Sequence, residues 1–328
     1  MTEATNDTMR LRRNRAPTLK TLQKYGTLIV LVIVVAVCGL ASDRFLSISN
    51  LLNILQQISM LTIVATGLTF AFATREMDLS VGYIVGFAGL AAPLMLVAGW
   101  PVWLALAAAM AGGLLVGLLN AFLVVAVGVP SLIATLAVGS IIFGVNFTIS
   151  GGRAIYGGLP PDFLVIGQGQ ILGIPTPAVM MLVTVVLSWL LLEKTVFGRR
   201  LYAAGGNPRA AELSGVRVNR YRVMGLVLCA LFASLAGLLL SARLGYGQPN
   251  GGETYLLDGL AAVFIGMTMI KPGTATILGT FFGALLIGVM NNGLNLIGMD
   301  TYIQSMVKGI VIVIAVSIVS RTSSLKLL

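Results

Sequence analysis

The chain is written in long apolar runs separated by short polar or turn-forming breaks. Ten such runs lie near residues 25–42, 51–74, 79–98, 102–127, 131–150, 176–196, 221–243, 256–270, 273–292 and 302–320. One helical crossing of a bilayer needs ~20 apolar residues, so most runs predict a transmembrane helix each. The run at 256–270 is short for a crossing, which predicts a broken helix there. From Leu79 to Gly152 no side chain carries a charge. Such a stretch fits several crossings joined by tight turns. The runs are solidly apolar, whereas barrel strands would alternate. The predicted fold is an all-α integral membrane protein with about ten transmembrane helices.

Charge supplies the orientation. Placing the N-terminus inside puts segments 1–24, 74–79, 127–131, 193–222, 271–273 and 321–328 on the cytoplasmic side, and these hold seventeen of the 21 Lys and Arg residues. The remaining four are Arg44, Arg153, Arg243 and Lys308. Cytoplasmic loops retain positive charge, so the expectation is N-in and C-in. The net charge of +10 then reflects topology and not nucleic acid. Only 10% of residues are charged, far below the quarter or so found in soluble domains. Residues 1–24 read as a cytoplasmic tail, 25–320 as a single transmembrane domain and 321–328 as a short C-terminal tail. A cleaved signal peptide is the competing reading of the N-terminus, but its basic region is long and no small-x-small cleavage site follows.

Absences narrow the chemistry. The chain has no histidine, which removes the commonest metal ligand and proton relay. Cys38 and Cys229 each sit in an apolar run and read as small packing residues. Glycines four apart (Gly82 and Gly86, Gly113 and Gly117, Gly279 and Gly283) predict close helix packing. Residues 69–89 and 266–286 share a layout of apolar run, charged break, polar cluster and glycines. That echo suggests an internal repeat, of undetermined orientation, with broken helices.

The interruption at 193–222 holds seven basic residues, and inside it lies a specified short helix. Asn207 suits an N-cap, Pro208 the first helical position and Gly215 the stop. Arg209, Ala210, Ala211, Glu212, Leu213 and Ser214 fill about two turns. A helix this short is unstable alone. It is either an ordinary basic loop with one ordered turn or a docking element for another protein.

At this point the sequence resembles a known family. GGNPRAAELSGVRVN (205–219) is similar to the cytoplasmic coupling loop of ribose-type ABC importer permeases, within the branched-chain-amino-acid/ribose permease superfamily. NLLNILQQIS (50–59), MDLSVG (77–82), PSLIATLA (130–137) and NNGLNLIG (291–298) match in the same order. The resemblance implies a type II importer-like permease in a bacterial inner membrane that passes a monosaccharide or related polyol. Residues 197–222 become its coupling loop, with Asn207 to Gly215 seated on a cytoplasmic ATPase that could carry two cassettes. ATP and Mg²⁺ would belong to that partner, since this chain lacks a G-x-x-x-x-G-K-[ST] phosphate loop. A periplasmic binding protein and a second permease copy or homologue complete the implied assembly. Glu76 departs from the family pattern, which usually has a small residue there.

Polar side chains within apolar runs are candidates for the path: Gln56, Gln57, Asp78, Asn120, Asn146, Asn291, Asn292 and Asn295. Neutral amides can pass a sugar without trapping it, although the same groups serve equally as interhelical hydrogen bonds. Asp78 or Ser80 can also simply cap the next helix. Arg153, Asp162, Arg243 and Glu253, with Tyr156 and Asp258 nearby, are candidates for binding-protein docking or plain solvated charges. The rival functions are an ion-coupled secondary sugar transporter, a facilitator and an intramembrane enzyme. The last lacks histidine and any convergent carboxylate cluster.

Overall fold

Ten helices answer to the ten apolar runs. In the computed structural model, which describes residues 17–322, these are α1 (Pro17–Ala41), α2 (Ile48–Ala73), α3 (Val81–Val97), α4 (Val102–Ala121), α5 (Ser131–Ser150), α7 (Thr176–Trp189), α10 (Val218–Leu244), α11 (Glu253–Gly266), α12 (Ile277–Leu296) and α13 (Thr301–Thr322). Wider π-helical turns extend α4 through Val127 and α7 through Lys194. Six of these helices are long and apolar enough to cross a membrane: α2, α4, α5, α7, α10 and α12. The helical start of α1 at Pro17 places Lys20 and Lys24 on a helix and not in a tail. Of the proposed tails, residues 1–16 and 323–328 lie outside the described residues.

Helix starts follow local chemistry. Ser47 accepts from the Asn50 N–H at α2, and Thr276 accepts from the Gly279 N–H at α12. Left-handed Gly151 and Gly245 end α5 and α10.

The core is built from two antiparallel units of the same order. In the first, long α2 leads through the extended segment 74–80 to short α3 and then α4. In the second, long α10 leads through 245–252 to short α11 and then α12. Helices α2 and α10 cross where Gly67 lies against Cys229 and Phe232, while Gly225 lies against Phe70 and Thr74. The order of these contacts makes the two helices antiparallel. The repeat is therefore inverted, and it pairs 74–80 with 245–252 instead of with the 267–276 break that the sequence echo suggested.

Every glycine pair named from the sequence marks a close approach. A Cβ on Gly113 would fall 1.7 Å from Ser234 Oγ of α10, and one on Gly117 2.7 Å from Ala230. Gly82 and Gly86 admit the backbone of the 245–252 segment, and Gly279 and Gly283 lie on Gly266 and Ala262 of α11. Without water to drive apolar burial, such contacts supply the dispersion energy that holds membrane helices together.

The loop after α5 is structured. Strand β1 (Ile155–Tyr156) pairs antiparallel with β4 (Tyr246–Gly247), and β2 (Gln170–Ile171) with β3 (Ile174–Pro175). Between them lies α6 (Pro161–Gln168), which buries Phe163 and sets Gly167 against the backbone of Ala242 and Arg243. Nothing in the sequence reading anticipated α6, because eight mixed residues carry little periodic signal.

The tightest of these crossings yields a prediction. A Cβ on Gly252 would lie 2.0 Å from the Gly82 carbonyl oxygen and 2.6 Å from the Gly86 nitrogen. Both are backbone atoms that cannot rotate away. Gly252→Ala should destabilise the protein by about 1–3 kcal/mol, read as a lowered Tm in detergent. Gly144→Ala, at a position with nothing within 4 Å, should leave Tm unchanged.

Candidate functional site

The loop between α7 and α10 folds into α8 (Val196–Gly206) and α9 (Pro208–Leu213). Thr195 caps α8 by accepting from the Gly198 N–H. Asn207 caps α9 by accepting from the Ala210 N–H at 3.1 Å, with Pro208 in the first turn. Ser214 ends the helix, its hydroxyl donating to the Ala210 carbonyl at 2.9 Å. Gly215 then takes φ 79°, and the Val216 N–H returns to the Ala211 carbonyl at 2.9 Å. That return bond satisfies a carbonyl at the helix end, as in a Schellman closure.

The faces of α9 are unequal. Ala211 turns inward with Ala204 and Val218, so it anchors the element to this chain and does not face a partner. Pro208, Arg209, Ala210, Glu212, Leu213 and Ser214 point outward, and Leu213 is 83% exposed. An exposed leucine between an arginine and polar neighbours makes a small surface of mixed polarity.

Behind α9 the arm α8 reaches both units of the core. Gly205 sits against the Ala73 carbonyl and Thr74, where α2 ends; a Cβ there would come within 2.2 Å. The Tyr202 hydroxyl shares its proton between the Ala275 carbonyl at 2.9 Å and Glu193 Oε1 at 3.2 Å. Burial, and then the Glu193 carboxylate, push this hydroxyl well above its ordinary pKa, so it remains a donor. Lys271 Nζ pairs with Glu193 Oε2 at 3.0 Å. On the other side Arg222 Nε pairs with Glu76 Oε1 at 2.5 Å. Glu76, the departure from the family pattern, thus has a partner on α10. Between the 74–80 segment, the start of α5, α8 and the 267–276 segment lies a cavity of about 810 Å³. Arg75, Glu76, Tyr202 and Lys271 are its polar wall.

Deeper, Asp78 is completely buried. Its Oδ1 accepts from the Ser80 N–H at 2.9 Å and the Ser80 hydroxyl at 2.5 Å, and the carboxyl faces the Cys229 thiol. Asn120 Nδ2 donates to Ser80 Oγ at 2.8 Å and approaches Asp78 Oδ1 at 3.5 Å. Thr135 Oγ1 accepts from the Leu79 N–H at 2.9 Å, and Ser131 Oγ from the Met77 N–H at 3.2 Å. Side chains of α5, together with Asp78 itself, therefore satisfy backbone N–H groups of the unwound 74–80 segment, as a segment away from water requires, while Asn120 of α4 holds the Ser80 and Asp78 side chains.

The other sequence candidates scatter. Asn292 exchanges reciprocal hydrogen bonds with Asn50 at 2.9 and 3.1 Å, clamping α2 to α12. Asn146 Nδ2 donates to the Tyr83 and Pro249 carbonyls at 3.3 and 3.2 Å, and Gln56 Nε2 to the Gly167 carbonyl at 3.3 Å. Asn291 Nδ2 donates to Asp258 Oδ2 at 3.3 Å. Gln57 is half-buried and Asn295 exposed. Asn120, Asn146 and Asn291 each leave a buried Oδ1 without a hydrogen bond among the described residues. Arg153, Asp162 and Glu253 are exposed and Arg243 is half-buried. Asp258 is buried and paired with Lys308 Nζ at 3.0 Å, which removes it from any docking surface. Cys38 and Cys229 are both free and buried.

Several residues at the site escaped the sequence reading. Asn50, Glu193, Tyr202, Arg222 and Lys271 gain meaning only from partners up to 242 positions away in the chain. Lone charges beside helix breaks were the available signal.

A polytopic helical membrane protein with an exposed capped helix near an open, largely apolar cavity that carries a few charged and polar side chains is the class these features define. Residues 50–316 match the model of a family described as the branched-chain amino acid transport system permease component. The chain is similar to the ribose import permease protein of Bacillus subtilis strain 168, with 40% identity over 92% of this chain and 94% of that one. It is 39% identical to the ribose import permease protein of Escherichia coli K12, over 90% and 93% of the two chains. It is 34% identical to the D-allose transport system permease protein of the same strain, over 90% and 91%. The chain belongs to this family of importer permeases.

Two substitutions probe the site. Asn207→Ala should cost about 1 kcal/mol of local helix stability, seen as faster amide exchange at 208–214 with little change in Tm. Asn120→Leu should cost about 1–3 kcal/mol, because the Ser80 hydroxyl and Asp78 lose a buried partner; the measurement is thermal unfolding in detergent.

Proposed function

We propose that the protein is the membrane subunit of a bacterial inner-membrane ABC importer for a monosaccharide or related polyol. It crosses the bilayer ten times, with both termini in the cytosol and residues 197–222 on that side. The positive charge of 193–222 and the correspondence between apolar runs and helices support this topology. Ribose and allose, in the names of the relatives, set the chemical class of cargo. A cytoplasmic ATPase holds ATP and Mg²⁺, a periplasmic binding protein delivers the cargo, and a second permease copy or homologue completes the path.

The observation that carries this reading is α9. Its ends are closed by Asn207 and Gly215, one face is fixed through Ala211, and the opposite face presents Arg209, Glu212 and Leu213. A helix so specified yet left exposed fits a groove on another protein. Buried oxygens of Asn146 and Asn291 and the Asp78–Asn120 cluster are the polar groups closest to what a passing hydroxyl needs. Arg153, Asp162, Arg243 and Glu253 form the outer face toward the binding protein.

Both halves of the proposal are testable. With Cys38 and Cys229 buried, Arg209→Cys gives a single accessible thiol. It should react with a membrane-impermeant maleimide in inverted but not in right-side-out vesicles; the reverse pattern ends the scheme. Leu213→Asp should release the ATPase on purification and abolish ATP-driven uptake, while the permease folds with an unchanged Tm.

A further inference from the structure

Two links leave the loop that carries α9, and they end on the two inner helix breaks. The first runs from α9 through 214–217 into α10, where Arg222 grips Glu76 in the 74–80 segment. Glu76 is 6% exposed, so its carboxylate has little water to turn to if Arg222 withdraws. The second runs through α8, where Tyr202 donates toward the Ala275 carbonyl and to Glu193 at the end of α7, and Glu193 holds Lys271; Ala275 and Lys271 both lie in the 267–276 segment. Gly205 braces α8 directly against the end of α2. These contacts surround the cavity of about 810 Å³. An unwound segment moves more readily than a packed helix, since few regular backbone bonds hold it.

Resting on the coupling reading of α9, we propose that Glu76–Arg222 and Tyr202/Lys271–Glu193 are paired side-chain struts that deliver the stroke of α9 to both helix breaks, reshaping the cavity between them. These are positioning residues, acting through the 74–80 and 267–276 segments. The Glu76–Arg222 pair and the Tyr202 hydroxyl suit the task, because these shielded contacts break at a cost and so transmit displacement instead of absorbing it, while the exposed Lys271 adds an ion pair to the same Glu193. The carboxylate of Glu76 has a cation to meet on α10.

The test uses the full importer in nanodiscs, with Ile133→Cys as a reporter on the cavity wall. Its rate of labelling by a maleimide is compared with and without ATP and vanadate. The parent should show an ATP-dependent rate change. Glu76→Gln and Arg222→Gln should each shrink that change at least about fivefold while the ATPase still co-purifies and hydrolyses ATP. The swap Glu76→Arg with Arg222→Glu should restore it. Neutral variants that respond like the parent, or a swap no better than either single change, would overturn the struts. Should the Glu76 variants fail to fold, Tyr202→Phe keeps the ring and removes only the hydroxyl; it should blunt the ATP response of a Thr274→Cys reporter, and a parent-like response there overturns the proposal equally. Failure of the parent itself to hold an ATPase would instead defeat the coupling reading, a distinct result.

Discussion

A backbone removed from water must find every hydrogen bond inside the protein. This chain breaks its helices within the core, at 74–80 and 245–252, and everything else is arranged to make those breaks tolerable. Ser131, Thr135 and Asp78 serve the first break as side-chain partners of its backbone. The second is tied by Asn146 to α5 and by strand pairing of Tyr246 with Tyr156. Glycine does the rest. Gly82, Gly86 and Gly252 let the backbones of α3 and the 245–252 segment touch, so that short-range dispersion replaces the missing hydrophobic drive.

The inverted build gives the breaks their mechanical meaning. Each long helix packs on the short-helix pair of the other unit: Gly113 and Gly117 of α4 lie on α10, and Thr280 of α12 meets Thr69 of α2 at 2.8 Å. A displacement at one unit must therefore be felt by the other. The arm formed by α8 and α9 stands at the seam between them, with Gly205 on the end of α2 and Tyr202 on the segment before α12. A push on α9 thus meets both units through contacts too close to compress.

Buried amides were expected to line a path, and in this conformation several are fasteners. Asn292 spends both donor and acceptor on Asn50, and Asn120 serves Ser80 and Asp78. An amide that is fully satisfied, as at Asn292, holds two helices in register; one left with a free oxygen, as at Asn120, Asn146 and Asn291, retains capacity for a visitor. The distinction turns on the neighbouring helix, which no single segment contains.

The sequence by itself determined the helices, because runs of ~20 apolar residues admit no other backbone in lipid. It also determined α9, whose cap, first-turn proline and terminal glycine are local chemistry. The glycine spacings were likewise legible as contact points, since only a missing Cβ admits another backbone. Tertiary structure alone decided the rest. The orientation of the repeat, the register that pairs 74–80 with 245–252, the inward turn of Ala211, the pairing of Asp258 with Lys308 and the meeting of Glu76 with Arg222 all depend on distant segments. Uniformly apolar helices carry no stripe to say which face looks inward, so only packing could choose.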